Sequence, residues 1–149
     1  MRRTELGMTL IELMAVVVVA ALLAVVAIPT YKAFADRAKV AVAVADIGTM
    51  SGMLYRWELA TRDFPETLAA ARLDGRLDPW GNPYRYLKIA TAKTGAVRRD
   101  RNLRPINTDF DLYSAGPDGQ TQTQLMGAKA RDDIVRANNG QFIGVAADY

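Results

Sequence analysis

Glu12 is the one ionisable side chain in residues 7–29, GMTLIELMAVVVVAALLAVVAIP. An unpaired carboxylate costs about 2.5–3.5 kcal/mol at mid-bilayer and less near the end of a span, so its position asks for a partner. Thr9-Leu10-Ile11-Glu12 is T-x-x-E, the pattern of a capping box: Thr9 caps a helix start and Glu12 reaches back to the Thr9 amide. A second set of carboxylates, Asp118, Asp132 and Asp133, stands in the last third of the chain. Asp118-Gly119 also suits an ordinary turn, and Asp132-Asp133 also suits the start of a short helix, where acids are favoured. Lys93, Arg98, Arg99, Arg101 and Arg104 form a third group. Such a cluster could hold nucleic-acid phosphates, but no aromatic interleaves with it and Asp100 and Asp109 dilute it. The favoured reading is a solvated hairpin loop that touches a neighbouring subunit.

Other chemistry is excluded by composition. The 149 residues include no cysteine and no histidine, which removes disulfides, Cys/His zinc sites, thiol nucleophiles and His-based triads. G-x-S-x-G, the P-loop and G-x-G-x-x-G are all missing. A Ser–Lys or carboxylate-pair enzyme remains possible in principle, and the default is a non-enzyme. A formal charge of +3 is too small to argue for nucleic acid by itself.

The elements that position these groups follow from hydropathy. Met8 to Ile28 is 21 residues long, roughly 30 Å as a helix, one bilayer core. It reads as a single-pass anchor. A secretory signal peptide is the competing reading, with Arg2 and Arg3 as its basic end and Ala33-Phe34-Ala35 as its cleavage site. Basic residues flank both ends, so charge does not choose an orientation.

Pro29 removes one backbone bond and predicts a bend. Beyond it Phe34, Val40, Val44, Ile47, Met50, Leu54 and Trp57 form a stripe at three- and four-residue steps. One long helix is predicted from about Thr9 to about Thr61, ended by Asp63-Phe64-Pro65. A short helix is expected over 65–73. A tight turn follows over Asp78-Pro79-Trp80-Gly81-Asn82-Pro83-Tyr84, with Trp80 tucked against the long helix. Strands are expected over 84–89, 110–114 and near 141–145. Three antiparallel strands on a long helix make an α+β domain.

Gly7-Met8-Thr9-Leu10-Ile11-Glu12-Leu13-Met14, followed by an all-apolar helix and Pro29, resembles the N-terminus of type IV pilins and of type II secretion pseudopilins. Asp78-Pro79-Trp80-Gly81-Asn82-Pro83-Tyr84 and Tyr113-Ser114-Ala115-Gly116-Pro117-Asp118-Gly119-Gln120 are similar to the major pseudopilin of those systems. Ala130-Arg131-Asp132-Asp133-Ile134 corresponds to that family's A-D-I landmark.

The resemblance implies a leader over 1–7, an assembly helix over 8–30 and a periplasmic domain over 31–149. It implies cleavage by a prepilin peptidase between Gly7 and Met8 and N-methylation of Met8, where the family usually has Phe. Glu12 then becomes the fifth residue of the mature chain and lies near the terminal amine of a neighbouring subunit. The implied setting is the inner membrane, with other pseudopilins and an assembly platform driven by a cytoplasmic ATPase, building a filament that drives secretion. A calcium ion in the loop after Ser114 is implied as well, held by Asp118 and Asp133 with Asp132 beside them. The loop here is longer and poorer in glycine than the family's, with Arg131 or Arg136 as alternative tethers. A minor type IV pilin of a surface pilus is the neighbouring alternative. A membrane-anchored or secreted DNA-binding domain is the alternative from another class.

Overall fold

The computed structural model describes residues 8–93 and 95–149; Gly7 lies outside the described residues. The chain divides into two compact units, Met1–Arg37 and Ala38–Tyr149. One helix, α1, runs Leu10–Thr61 and includes Pro29 without interruption.

In the first unit the side chains of α1 are exposed on every face, Leu10, Leu13, Val17, Leu22 and Val25 among them. A helix that is apolar all round needs an apolar medium or a partner. By length and composition this one is able to cross a membrane. Just past Pro29, the Thr30 hydroxyl donates to the Val26 carbonyl at 2.8 Å. Phe34 belongs to this exposed part, at 70% exposure, and not to the core stripe expected of it.

In the second unit the stripe narrows to Ala43, Ile47, Met50 and Leu54, all fully buried. Their steps of four, three and four keep them on one helical face. That face packs with Leu73, Tyr84, Phe110, Leu112 and Ile134, and Trp80 lies against the same core. Tyr55, Phe64 and Phe110 add edge-to-face contacts at 5.0–5.8 Å.

The core's other wall is a four-stranded antiparallel sheet in chain order. Its strands are β1 (Arg85–Lys88), β2 (Phe110–Ser114), β3 (Ile134–Ala137) and β4 (Phe142–Val145). Arg85 pairs with Tyr113, Ser114 with Ile134, and Ala137 with Phe142.

The α+β class agrees with the sequence reading, but the sheet has one strand more than expected. Ile134–Ala137, for which a short helix beginning at Asp132-Asp133 is the alternative to the calcium reading, is β3, and all four of its residues are buried. Alternation explains that burial. Ile134 joins the core under α1, while Val135 and Ala137 join Ile106, Leu125 and Ala146 in a second cluster. A strand covered on both faces shows no polar alternation. The expected helix over 65–73 is also replaced. A turn closes there, with the Leu73 amide on the Leu68 carbonyl and Arg72 at φ 56°.

Candidate functional site

At the N-terminal end of α1 the expected capping box is formed. One oxygen of Glu12, Oε2, accepts hydrogen bonds from the Thr9 amide and the Thr9 hydroxyl, both at 2.8 Å. The Glu12 amide donates back to the Thr9 hydroxyl at 3.3 Å. A carboxylate is favoured at this end of a helix, where the free amides carry partial positive charge. Met8 and Glu12 are exposed. The box fixes the carboxylate in the first turn without burying it.

The second candidate region is a junction of loops at one end of the sheet. Asp78 organises its first turn. Its Oδ1 accepts the amides of Trp80 at 3.0 Å and Asn82 at 2.8 Å, and its own amide donates to the Asn82 carbonyl. Asn82 Nδ2 donates to the Gly116 carbonyl at 3.0 Å, and the Gly116 amide donates to Ser114 Oγ at 3.0 Å. The two motifs that carried the resemblance are thus joined by direct hydrogen bonds. Gly116 has φ 65°, and a Cβ there would stand 2.4 Å from the Asp132 carbonyl oxygen. The close approach requires glycine.

The three aspartates expected to bind calcium do not form a set here. Asp118 is exposed and closes its own turn, with Oδ1 accepting the Gln120 amide at 2.7 Å. Asp132 Oδ2 faces the Asp118 amide at 3.4 Å. Asp133 is fully buried, and its Oδ2 accepts hydrogen bonds from Arg98 Nη2 and from the Thr121 hydroxyl. Among the described residues no three acidic, His or Cys side chains lie together as a metal set. Calcium takes six to eight oxygens, and the residue facing Asp133 is a guanidinium. The donor set as folded does not fit the ion.

Arg98 is also the departure from the solvated-hairpin reading. The tip of that loop is a hairpin, with Arg99 bridged to Pro105 and the Asp100 amide on the Arg104 carbonyl. Lys93, Arg101 and Arg104 are exposed. Arg98, however, is 2% exposed. Its Nη1 donates to Thr121 Oγ1, its amide donates to Asp111 Oδ2 at 2.8 Å, and its guanidinium lies 4.0 Å over the Tyr113 ring. Burial pushes the Asp111 carboxyl above its ordinary range, against the hydrogen bonds from Arg98 and Asn107.

Arg136, the tether expected as an alternative, serves a different pair. It meets Asp109 with two parallel contacts, at 2.9 and 2.6 Å. It also donates to the Tyr55 hydroxyl and stacks 4.0 Å from the Phe110 ring centre. Arg131 is exposed and enters the fold through its carbonyl, which accepts the Ala147 amide.

An apolar helix exposed on all faces, with a capped carboxylate in its first turn, and a helix-backed antiparallel sheet together define a pilin-like α+β protein. Comparison with known proteins narrows this. No family model and no solved structure matches the chain. Type II secretion system core protein G of Pseudomonas aeruginosa is 34% identical over 140 residues, covering 80% of this chain and 88% of that protein. The Aeromonas hydrophila protein of the same name is 29% identical over 162 residues, 95% of this chain and 98% of the relative. A fimbrial protein of Neisseria meningitidis is 24% identical over 153 residues, 99% of this chain and 88% of the relative. The chain belongs to the type II secretion system core protein G family.

Proposed function

We propose that this chain is a structural subunit of a type II secretion pseudopilus, processed between Gly7 and Met8 and built into a filament through Glu12. The observation that carries this reading is the exposed apolar stretch of α1 up to Pro29, whose single carboxylate, Glu12, is held at the N-terminal end. Cleavage would leave the Met8 α-amine, whose pKa near 8 makes it a cation at neutral pH. Pairing it with Glu12 of a neighbouring subunit neutralises both charges inside an apolar bundle. The same pair sets register, because a misaligned subunit leaves a charge buried alone. The helix would anchor the subunit in the inner membrane before assembly, with the sheet domain in the periplasm and the assembly platform and prepilin peptidase as partners. The activity is mechanical and involves no catalytic residue.

The test is the mass of the N-terminal peptide from membrane-extracted protein. A peptide beginning at Met8 with one added methyl is expected. A start at Met1 or at Asp36 overturns the processing step and with it the filament reading.

The fimbrial relative supports a second reading, a subunit of a surface pilus. Co-purification separates the two. A secretion subunit is retained with the secretion machinery, while a pilus subunit is recovered in sheared surface fibres.

A further inference from the structure

We infer that Arg98 supplies the cation that holds the loop junction at Asp133, so that the domain folds independently of calcium. The two side chains come from distant segments, 35 residues apart, and both are buried. Arg98 lies between β1 and β2, Thr121 between β2 and β3, and Asp133 at the entry to β3. The Thr121 hydroxyl links the pair from the third segment: it accepts from Arg98 Nη1 at 2.8 Å and donates to Asp133 Oδ2 at 2.6 Å. Tyr113 on β2 covers the guanidinium face. A cation that gathers oxygens from separate loops is what a bound divalent ion provides in a chain without disulfides. Here a side chain does it.

The guanidinium suits the role. It presents its donors in a fixed planar fork that matches a carboxylate. Arg98 Nε and Asp133 Oδ1 are both buried, and neither has a hydrogen-bond partner among the described residues. A second contact between the same two groups is therefore open to them. A calcium ion at Asp133 would instead meet the guanidinium charge and would have to displace it. Asp118 and Asp132, left outside this contact, serve the turn at Gly116 and Gly119. The inference stands apart from the filament reading, since N-terminal mass decides the one and thermal melting the other.

The experiment is thermal unfolding of the full-length chain in detergent, with EGTA and with millimolar calcium chloride, together with calcorimetric titration of calcium chloride alone. The expected result is one Tm under both conditions and no binding heat. A Tm raised by calcium or lowered by EGTA, or a saturable calcium heat, overturns the inference. Arg98→Met should lower Tm by roughly 10 °C or more, because it leaves Asp133 buried and unpaired. Adding Asp133→Leu to that variant should recover part of the loss, since the stranded charge is gone. A wild-type Tm in Arg98→Met, or no recovery in the double variant, also overturns it. Should Arg98→Met fail to fold, the wild-type calcium and EGTA comparison still decides.

Discussion

Ser114 donates a hydrogen bond to the Asp78 carboxylate at 2.5 Å, and 36 residues of chain separate the two. Asp78 is 4% exposed and Ser114 is fully buried. The contact ties the turn before β1 to the end of β2, and through Gly116 and Asp132 to the entry of β3.

Asp78→Ala should destabilise the domain by about 2–4 kcal/mol, since it strands the Trp80 and Asn82 amides and the Ser114 hydroxyl. Ser114→Ala should cost about 1–3 kcal/mol, leaving one carboxylate oxygen and the Gly116 amide short of a partner. The double variant should be less damaged than the sum, with a coupling above about 0.5 kcal/mol in denaturant melts. Strict additivity would show that the two residues act separately.

Gly116→Ala should cost about 3 kcal/mol, from a positive φ and a clash with backbone that has no rotamer to change. Gly75 has φ 74° but open space where a Cβ would stand. Gly75→Ala should therefore cost only about 1 kcal/mol. Equal melting temperatures for the two variants would refute the close approach at Asp132.

Ile47→Ala or Leu54→Ala should destabilise the domain by about 2–5 kcal/mol, as expected for large-to-small changes in a packed core. Phe34→Ala should change the unfolding of the sheet domain by less than about 0.5 kcal/mol, because Phe34 lies outside that core. A large loss at Phe34 would restore the longer stripe.

Glu12→Gln keeps an oxygen for the Thr9 amide and removes the charge. Filament incorporation, read by cross-linking or by recovery of sheared fibres, should fall as far as it does in Glu12→Ala, while circular dichroism of both variants matches wild type. Normal assembly of Glu12→Gln would show that Glu12 acts only as a cap.

Asp109 gives a pH signature. Burial pushes its carboxyl up, but the hydrogen bonds from Arg136, the Phe110 amide and Tyr55, with the Arg136 charge, outweigh this and hold it below the ordinary range. A carboxylate lowered in the folded state adds stability that is complete above its unfolded pKa of about 3.9. That stability is lost as pH falls through the lower folded value. Asp111, raised by burial, acts with the opposite sign, so the difference between wild type and Asp109→Asn isolates Asp109. The gap in Tm should be full near neutral pH and should close below about pH 4. A constant gap would contradict the assignment.

Local signals were legible in the sequence, and long-range pairings were not. The capping box at Thr9 and Glu12, the helix end near Thr61 and the strands at 85–88, 110–114 and 142–145 follow from spacing and turn residues. β3 was hidden because a strand buried on both faces loses its alternation, and Asp132-Asp133 before it resembles a helix start. A signal was present: Asn139-Gly140 between two apolar runs is a hairpin pair, and Asn138, Asn139 and Gly140 all adopt positive φ. The Arg98–Asp133 pair left no such trace. Arg98 sits among exposed basic residues, and nothing in its neighbours marks it as the one that turns inward.

The order of the strands bears on how the chain matures. The helix face at Ala43–Leu54 is made early, yet Ile134, which helps to cover it, arrives some 80 residues later in the chain. Until then the part of the stripe that Ile134 covers stands open beside the free edge of β2, which is paired on its other side with β1, the kind of surface on which partly made chains aggregate. A chain cut short before β3 would keep that part of the stripe exposed. Completion of the C-terminal strands is therefore the step that closes the core.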